Sequence, residues 1–253
     1  MILVCEVIAV SSLEYLIEER IVRYKEEYKF EPFLKEVSRE MIRKSIEHTL
    51  LKPTATVEDI VALCEQAKEY KFCGVCVNPS FAETSLQLLK GSGVKVISVV
   101  GFPLGTNTQL SKAQEASELI RIGVDEIDMV IHVGMLKSHE WSYVYEDIRG
   151  VVEACKGKPV KVIIETCYLT NEEKIAACVI SELAGASFVK TSTGFGPAGA
   201  TAEDVNLMKW SAPKLSVKAS GGIRSYNQAI DLIKAGATRI GTSSGTKIIS
   251  EEV

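Results

Sequence analysis

GASFVKTSTGF (185–195) carries three signals in succession: a glycine at which a helix can stop, a strand-like apolar run, and a loop rich in glycine and hydroxyls. The first two signals recur in the related strings GVDEI (123–127) and GATRI (236–240), so Gly123, Gly185 and Gly236 each precede a strand by two to three residues. This is a faint internal repeat, as expected of a chain built from like units. Working outward, further strand-like runs are SIEHTLL (45–51), GVCVN (74–78), KVISVVGF (95–102), KVIIETCYL (161–169) and LSVKASGGI (215–223). Each gap between runs holds a helix-compatible segment, as parallel strands joined by crossover helices require. Eight such units predict an α/β fold that closes into a TIM (β/α)8 barrel rather than an open sheet.

The helices have readable starts. Thr56 ahead of Glu58 and Asp59, Asn171 ahead of Glu172 and Glu173, and Thr201 ahead of Glu203 and Asp204 place N-cap residues before acidic first turns. Residues 13–37 mix apolar and charged residues at helical spacing, and the expectation is a helix covering the N-terminal mouth of the barrel. The predicted organisation is an N-terminal helical extension over 1–40, packed on a barrel over 41–253. Few residues follow Gly245, so the last outer helix is expected to be shortened to about two turns or absent.

The 253-residue length suits a single barrel, and 46% hydrophobic against 25% charged residues allows one large core and argues against disorder. A net charge of -4 gives no overall basic field, so neither nucleic acid nor a membrane surface is an expected partner. A phosphorylated small molecule can still be held by a few local groups. MILVCEVIAV (1–10) lacks the cationic start of a secretory signal and is too short to span a bilayer; a packed or subunit-contacting N-terminus is expected. Seven cysteines at irregular spacing argue for free thiols in a reducing, cytoplasmic compartment.

Parallel strands covered on both faces should be almost wholly apolar, so charged residues inside them carry information. Asp128, Lys190 and Lys218 interrupt three of the runs, each ahead of a loop at the C-terminal end of its strand, where active sites of this fold lie. A lysine attacks a carbonyl only as the neutral amine, and its ordinary pKa of about 10.4 leaves little of that form at neutral pH. A second ammonium nearby, together with partial desolvation, would activate it, which makes a Lys190–Lys218 pair with Asp128 as proton partner a candidate catalytic set. The competing reading is a structural Lys–Asp ion pair. Glu165 either lines the cavity or pairs with a lysine.

The loops 191–199, 220–224 and 241–245 bring glycines, hydroxyls and one guanidinium to one side of the barrel. Gly194, Gly221, Gly222, Arg224, Gly241, Ser243 and Ser244 are therefore candidate phosphate-binding residues, with Cys76 near the cavity. Other motifs are weaker. Gly194, Gly196 and Gly199 satisfy G-x-G-x-x-G, but Pro197 and Thr201 set the helix after the motif, against a dinucleotide site. Cys73 and Cys76 form a C-x-x-C without a second pair, and His48, His132 and His139 lack metal-site spacing, so no metal is expected.

EIDMVI around Asp128, FVKTSTGF around Lys190, VKASGGIR around Lys218 and the terminal IGTSSG resemble the deoxyribose-phosphate aldolase family. IEHTLLKP, GVCVNP, VVGFPLG and VIIETCYL extend the resemblance, in order, over about 200 residues. It implies that Lys190 forms a Schiff base, Lys218 perturbs it and Asp128 joins a proton relay, with no cofactor and a phosphorylated aldehyde as substrate. A homo-oligomer, dimer or tetramer, is expected. Two departures stand out: His132 where asparagine is expected, and Phe195 where some members carry a lysine near the phosphate. His132 is expected to adjust hydrogen bonding beneath Asp128, and Phe195 to leave more of the phosphate charge to Arg224 and backbone donors. The alternatives are another Schiff-base sugar-phosphate aldolase or transaldolase, and a non-catalytic sugar-phosphate-binding barrel.

Overall fold

The computed structural model describes the backbone of residues 2–251 and the side chains of 12–251. Two helices, α1 (Ile2–Glu27) and α2 (Arg39–Ser45), lead into β1 (Ile46–Leu50). Then follow α3 (Val57–Glu69), β2 (Gly74–Val77), α4 (Ala82–Leu89), β3 (Lys95–Val100), α5 (Gln109–Ile122), β4 (Glu126–Val130), α6 (Val133–Lys137) and α7 (Trp141–Ala154). The chain continues through β5 (Val160–Ile163), α8 (Asn171–Leu183), β6 (Phe188–Lys190), α9 (Ala202–Ser211), β7 (Ser216–Ser220), α10 (Tyr226–Lys234), β8 (Ala237–Thr242) and α11 (Gly245–Ser250). The eight strands are parallel and close in chain order, β8 pairing with β1, into the barrel that the sequence predicts. The last outer helix is indeed short, at 6 residues.

Local chemistry sets the helix ends. The side chains of Thr56 and Thr201 accept from the N–H groups of Asp59 and Asp204, as predicted. At α8 the cap is Thr170 rather than Asn171: Thr170 and Glu173 form a reciprocal capping box, which puts Asn171 inside the first turn. Gly123, Gly185 and Gly236 have φ of 107°, 85° and 118°, so the repeated helix-stop signal corresponds to a left-handed backbone that favours glycine.

Strand alternation divides the core. Ile127, Met129, Val162, Val189 and Val217 belong to the large apolar core shared by strands and surrounding helices, whereas Leu51, Cys76, Ile97 and Val99 form a separate small cluster. Outside the barrel, Lys112 and Asp147 make a fully buried ion pair at 2.5 Å, and Lys112 also donates to the Val130 carbonyl at 2.9 Å, tying α5 and α7 to the end of β4.

The N-terminal helix corrects one expectation. It does not cover the N-terminal mouth but lies along the outer wall, mainly against α8 and α7. Leu13 and Ile17 are buried, and Ile21, Tyr24 and Tyr28 extend the same stripe at i, i+4 and i+3 steps. Tyr24 and Tyr28 meet Trp210 of α9 edge-on at 6.3 and 5.6 Å, and the Tyr28 hydroxyl donates to Asn206 at 3.1 Å. Burial of Leu13 and Ile17 stabilises this docking by roughly 1.5–3 kcal/mol each, so an acid at Ile17 would undo it. It is α2 that packs against β8, next to the start of β1. The packing expected of residues 1–10 concerns side chains outside the described residues. No described helix is long and apolar enough to cross a membrane, and the six described cysteines are all free.

Candidate active site

Asp128 is the third residue of β4, Lys218 the third of β7 and Lys190 the last of β6. Lys190 thus closes its strand, and Asp128 and Lys218 stand two residues before the C-terminal ends of theirs. Register brings them together, with Lys190 beside Lys218 and Asp128 beside Lys161. Lys190 Nζ donates to Asp128 Oδ2 at 2.8 Å and Lys218 Nζ donates to the same oxygen at 2.6 Å. Lys161 Nζ donates to the other oxygen, Oδ1, at 2.9 Å. Asp128 thus carries three ammonium partners.

Lys161 and four further groups, Glu47, Glu126, Arg239 and Lys95, went unread in the sequence as site residues. Lys218 also donates to Glu47 on β1, and Lys161 lies 2.7 Å from Glu126 Oε2, off the hydrogen-bonding direction. Arg239 Nη1 is 3.3 Å from Glu47 Oε1 and 2.7 Å from Cys73 Sγ, while Lys95 donates to Glu126 Oε1 at 2.5 Å. Glu47, Asp128, Lys161 and Lys218 are fully buried. The interior is a connected ion network in which three carboxylates (Glu47, Glu126, Asp128) face Lys161, Lys190, Lys218 and Arg239, with half-exposed Lys95 at its edge.

The network fixes protonation. Burial acts to raise the Asp128 carboxyl, but Lys161, Lys190 and Lys218 outweigh it and hold the group well below its ordinary range. Burial acts to lower Lys218, but Asp128 and Glu47 outweigh it and hold the ammonium well above its ordinary range. The sequence predicts that Lys218 lowers the Lys190 pKa as a second ammonium, with Asp128 as proton partner; the structure adds Glu47 as a second carboxylate on Lys218, so its charge is countered where it stands.

Burial likewise works against Glu126, and Lys161 overrides it, lowering that carboxyl from 4.5 to about 2. A carboxyl depressed in the folded state stabilises the fold above its unfolded pKa, and that contribution is lost as pH falls through the folded value. For Glu126 the displacement is worth roughly 3 kcal/mol above pH 5, disappearing between about pH 4.5 and 2. Calorimetric scans from pH 6 to pH 2 should therefore show a falling unfolding temperature, with a shallower fall in Glu126→Gln. Parallel curves for the two proteins would contradict the ion-network assignment.

Above the network opens a cavity of about 390 Å³. Lys190, Gly194, Gly221, Gly222, Arg224, Gly241 and Ser243 line it, as do Thr49, Lys52, Thr193 and Phe195. Asp128, Lys218, Cys76 and Ser244 do not. Cys76 is buried behind the wall, its Sγ 3.8 Å from Asp128 Oδ2, and burial pushes the thiol up to about 11. Ser244 opens α11 and gives its N–H to Thr242 Oγ1 at 2.9 Å. Close backbone approach explains part of the glycine content. Ala200 N–H donates to the Gly221 carbonyl at 3.1 Å, and a Cβ on Gly199 would run into that same oxygen. At Gly241 a Cβ would crowd Lys218 Cε at 3.0 Å, so this glycine also makes room for the lysine.

Glu165 and His132 take other places than expected, whereas Phe195 lies on the cavity wall beside the candidate phosphate loops, as expected. Glu165 pairs with no lysine among the described residues; its carboxylate accepts from the N–H and hydroxyl of Thr193, pinning the loop after β6. His132 is not on a strand beneath Asp128 but caps α6, where Nδ1 accepts from Met135 N–H at 3.2 Å and the ring meets Tyr143. Phe195 is half-exposed and packs edge-on against Phe102 at 5.4 Å. Among the described residues no three His, Cys, Asp or Glu side chains form a group able to hold a metal ion.

Comparison with known proteins gives a consistent result. The family model described as DeoC/LacD family aldolase matches residues 40–251. A deoxyribose-phosphate aldolase from Thermotoga petrophila is 61% identical over 238 residues, 94% of this chain and 96% of that one. A crystal structure from Coccidioides immitis superposes with a TM-score of 0.90 at 39% identity, covering 94% of this chain and 96% of that one. The tetrameric deoxyribose phosphate aldolase from Aeropyrum pernix superposes with a TM-score of 0.79 at 34% identity, covering 92% and 95%.

Proposed function

The chain belongs to the DeoC/LacD aldolase family, and we propose that it cleaves 2-deoxy-D-ribose 5-phosphate reversibly to D-glyceraldehyde 3-phosphate and acetaldehyde, with Lys190 as the Schiff-base residue. One observation carries this assignment. Of the three lysines joined to Asp128, Lys190 alone lines the cavity, and it has one carboxylate partner where Lys218 has two and Lys161 has three. It is the ammonium that the network holds least and the only one of the three that a carbonyl in the cavity can reach.

In the cleavage direction the neutral amine of Lys190 adds to the aldehyde carbon of the open-chain sugar, and loss of water gives an iminium. Removal of the proton from the 3-hydroxyl breaks the C2–C3 bond, releases glyceraldehyde 3-phosphate and sends the electron pair into the iminium, leaving an enamine. Protonation at C2 and hydrolysis then free acetaldehyde and restore the amine.

Asp128 is suited to the proton steps because its affinity for a proton depends on its neighbours' charge. With three ammonium partners it stays ionised; when the Lys190 nitrogen becomes neutral in the enamine, one of those charges is gone and the carboxylate binds a proton more readily. Lys218, anchored by Glu47, holds Asp128 in place and supplies a fixed positive charge beside the reacting nitrogen. Gly194, Gly221, Gly222, Arg224, Gly241 and Ser243 form the phosphate end of the cavity, with Ser244 next to Ser243, while Cys76 lies against Asp128. The iminium is the electron sink, so no cofactor or metal is required in this scheme. We assign residues 1–40 to an extension and 41–253 to the catalytic barrel of a cytoplasmic homo-oligomer, dimer or tetramer.

Incubation with 2-deoxy-D-ribose 5-phosphate should yield glyceraldehyde 3-phosphate and acetaldehyde in equal amounts, and a chelator should leave that rate unchanged. Faster cleavage of a ketose phosphate would move the assignment to a transaldolase or sugar-bisphosphate aldolase. Absence of any cleavage would leave a binding barrel.

A further inference from the structure

The cavity wall contains three cations, Lys52, Lys190 and Arg224, and no carboxylate. Lys190 leaves this count once it carries the substrate, because its charge then belongs to the reacting centre. A phosphate monoester brings between one and two negative charges at neutral pH. Arg224 supplies one compensating charge, and residue 195, where the family resemblance leads one to look for another, is an apolar ring packed on Phe102. Lys52 is the only remaining cation on the wall.

Its surroundings leave it available. Lys52 follows buried Leu51 on the loop between β1 and α3 and is exposed. It borders both the 390 Å³ cavity and a neighbouring one of about 420 Å³, sharing Thr49, Leu50 and Ser243 with it along the boundary. The carboxylate of that second cavity is Asp59, whose Oδ2 accepts from Thr56 N–H at 2.9 Å as part of the α3 cap. Among the described residues the Lys52 ammonium has no ion-pair partner, and neither does the Arg224 guanidinium. A simple solvated surface lysine would need no place on a carboxylate-free wall that also carries Arg224, Ser243 and the glycine loops.

We infer that Lys52 is the second cation of the phosphate subsite: a specificity-determining residue, brought in from the β1–α3 loop, that supplies the charge Phe195 does not. The inference rests on the proposed substrate only in that the ligand is a phosphate monoester. Arg224 offers a planar fork of donors and Lys52 a mobile point charge, so together they bracket a tetrahedral anion.

The test compares the wild type with Lys52→Met, Lys52→Arg and the double variant Lys52→Met/Phe195→Lys. Substrates are 2-deoxyribose 5-phosphate and unphosphorylated 2-deoxyribose, and binding of inorganic phosphate is followed by calorimetry. In Lys52→Met the KM for the phosphorylated sugar should rise about tenfold with little change in kcat, and the unphosphorylated sugar should be handled as before. Lys52→Arg should stay within about threefold of wild type, since it keeps the charge. The double variant should recover most of the loss, because residue 195 lines the same cavity.

An equal loss on both sugars would mean that Lys52 merely shapes the loop, and an unchanged KM that it is solvated; either result overturns the inference. The calorimetric arm separates this inference from the wider reading. A wild type that binds phosphate but cleaves neither sugar would sink the proposed reaction, and the difference in phosphate affinity between wild type and Lys52→Met would still decide the role of Lys52.

Discussion

Lys190→Met should lower turnover by about 10⁴-fold or more while leaving the unfolding temperature within a few degrees of wild type. The first part follows because no other lysine bonded to Asp128 opens on the cavity, so no second amine can take over the attack. The second part comes from the charge balance. Three carboxylates face four cations in the barrel interior, and removing Lys190 leaves Glu47, Glu126 and Asp128 matched by Lys161, Lys218 and Arg239. Asp128 keeps two ammonium partners, so no buried charge is left unpaired, and methionine fills the same volume without a polar head. Paired measurements of kcat and thermal unfolding check both halves. A variant that loses activity only because it unfolds would refute the separation of chemistry from structure.

Asp128→Asn should behave differently, losing both activity and stability. Deleting one carboxylate charge leaves Lys161, Lys190 and Lys218 crowded around a neutral amide, with Glu47 and Glu126 as the remaining anions. Leaving buried charge uncompensated costs about 3–5 kcal/mol, which for a chain of this length lowers the unfolding temperature by roughly 6–20 °C. Turnover should fall a further 10² to 10⁴-fold, roughly the worth of one positioned proton-transfer group. The deficit should be smaller in the double variant Asp128→Asn/Lys190→Met than the sum of the two single changes predicts, because the second change removes the charge that the first left exposed. Strict additivity of the two unfolding temperatures would argue that Lys190 and Asp128 are not coupled in the folded protein.

The barrel was legible because the βα repeat and its helix-stop glycines recur, and because charges at 128, 190 and 218 sit inside apolar runs. The remainder of the ion network was present in the same runs yet hidden. Glu126 begins β4, Lys161 is the second residue of β5 and Arg239 the third of β8, and charges near the start of a strand read as solvent-facing ends. What turns them inward is register, the pairing of Asp128 with Lys161 and of Lys218 with Arg239, which one strand's sequence does not contain. The α1 stripe is a similar case: its spacing defines a buried face, but not that the surface receiving it is α7 and α8. At α8 two adjacent capping residues competed, and only the reciprocal bond between Thr170 and Glu173 decides for the first. Lys52 falls within IEHTLLKP, but nothing in that string marks its charge as part of a site until the cavity is closed around it.

The assignment of Lys190 is tested most directly by borohydride reduction of the wild-type protein in the presence of acetaldehyde, followed by peptide mass mapping. Reduction of an imine leaves a stable ethyl group on the lysine that formed it. The geometry predicts the label on Lys190 and none on Lys218 or Lys161, whose ammonium groups are buried between carboxylates. An ethyl group on Lys218 instead would contradict the account, since the fixed cation and the nucleophile would then have exchanged places.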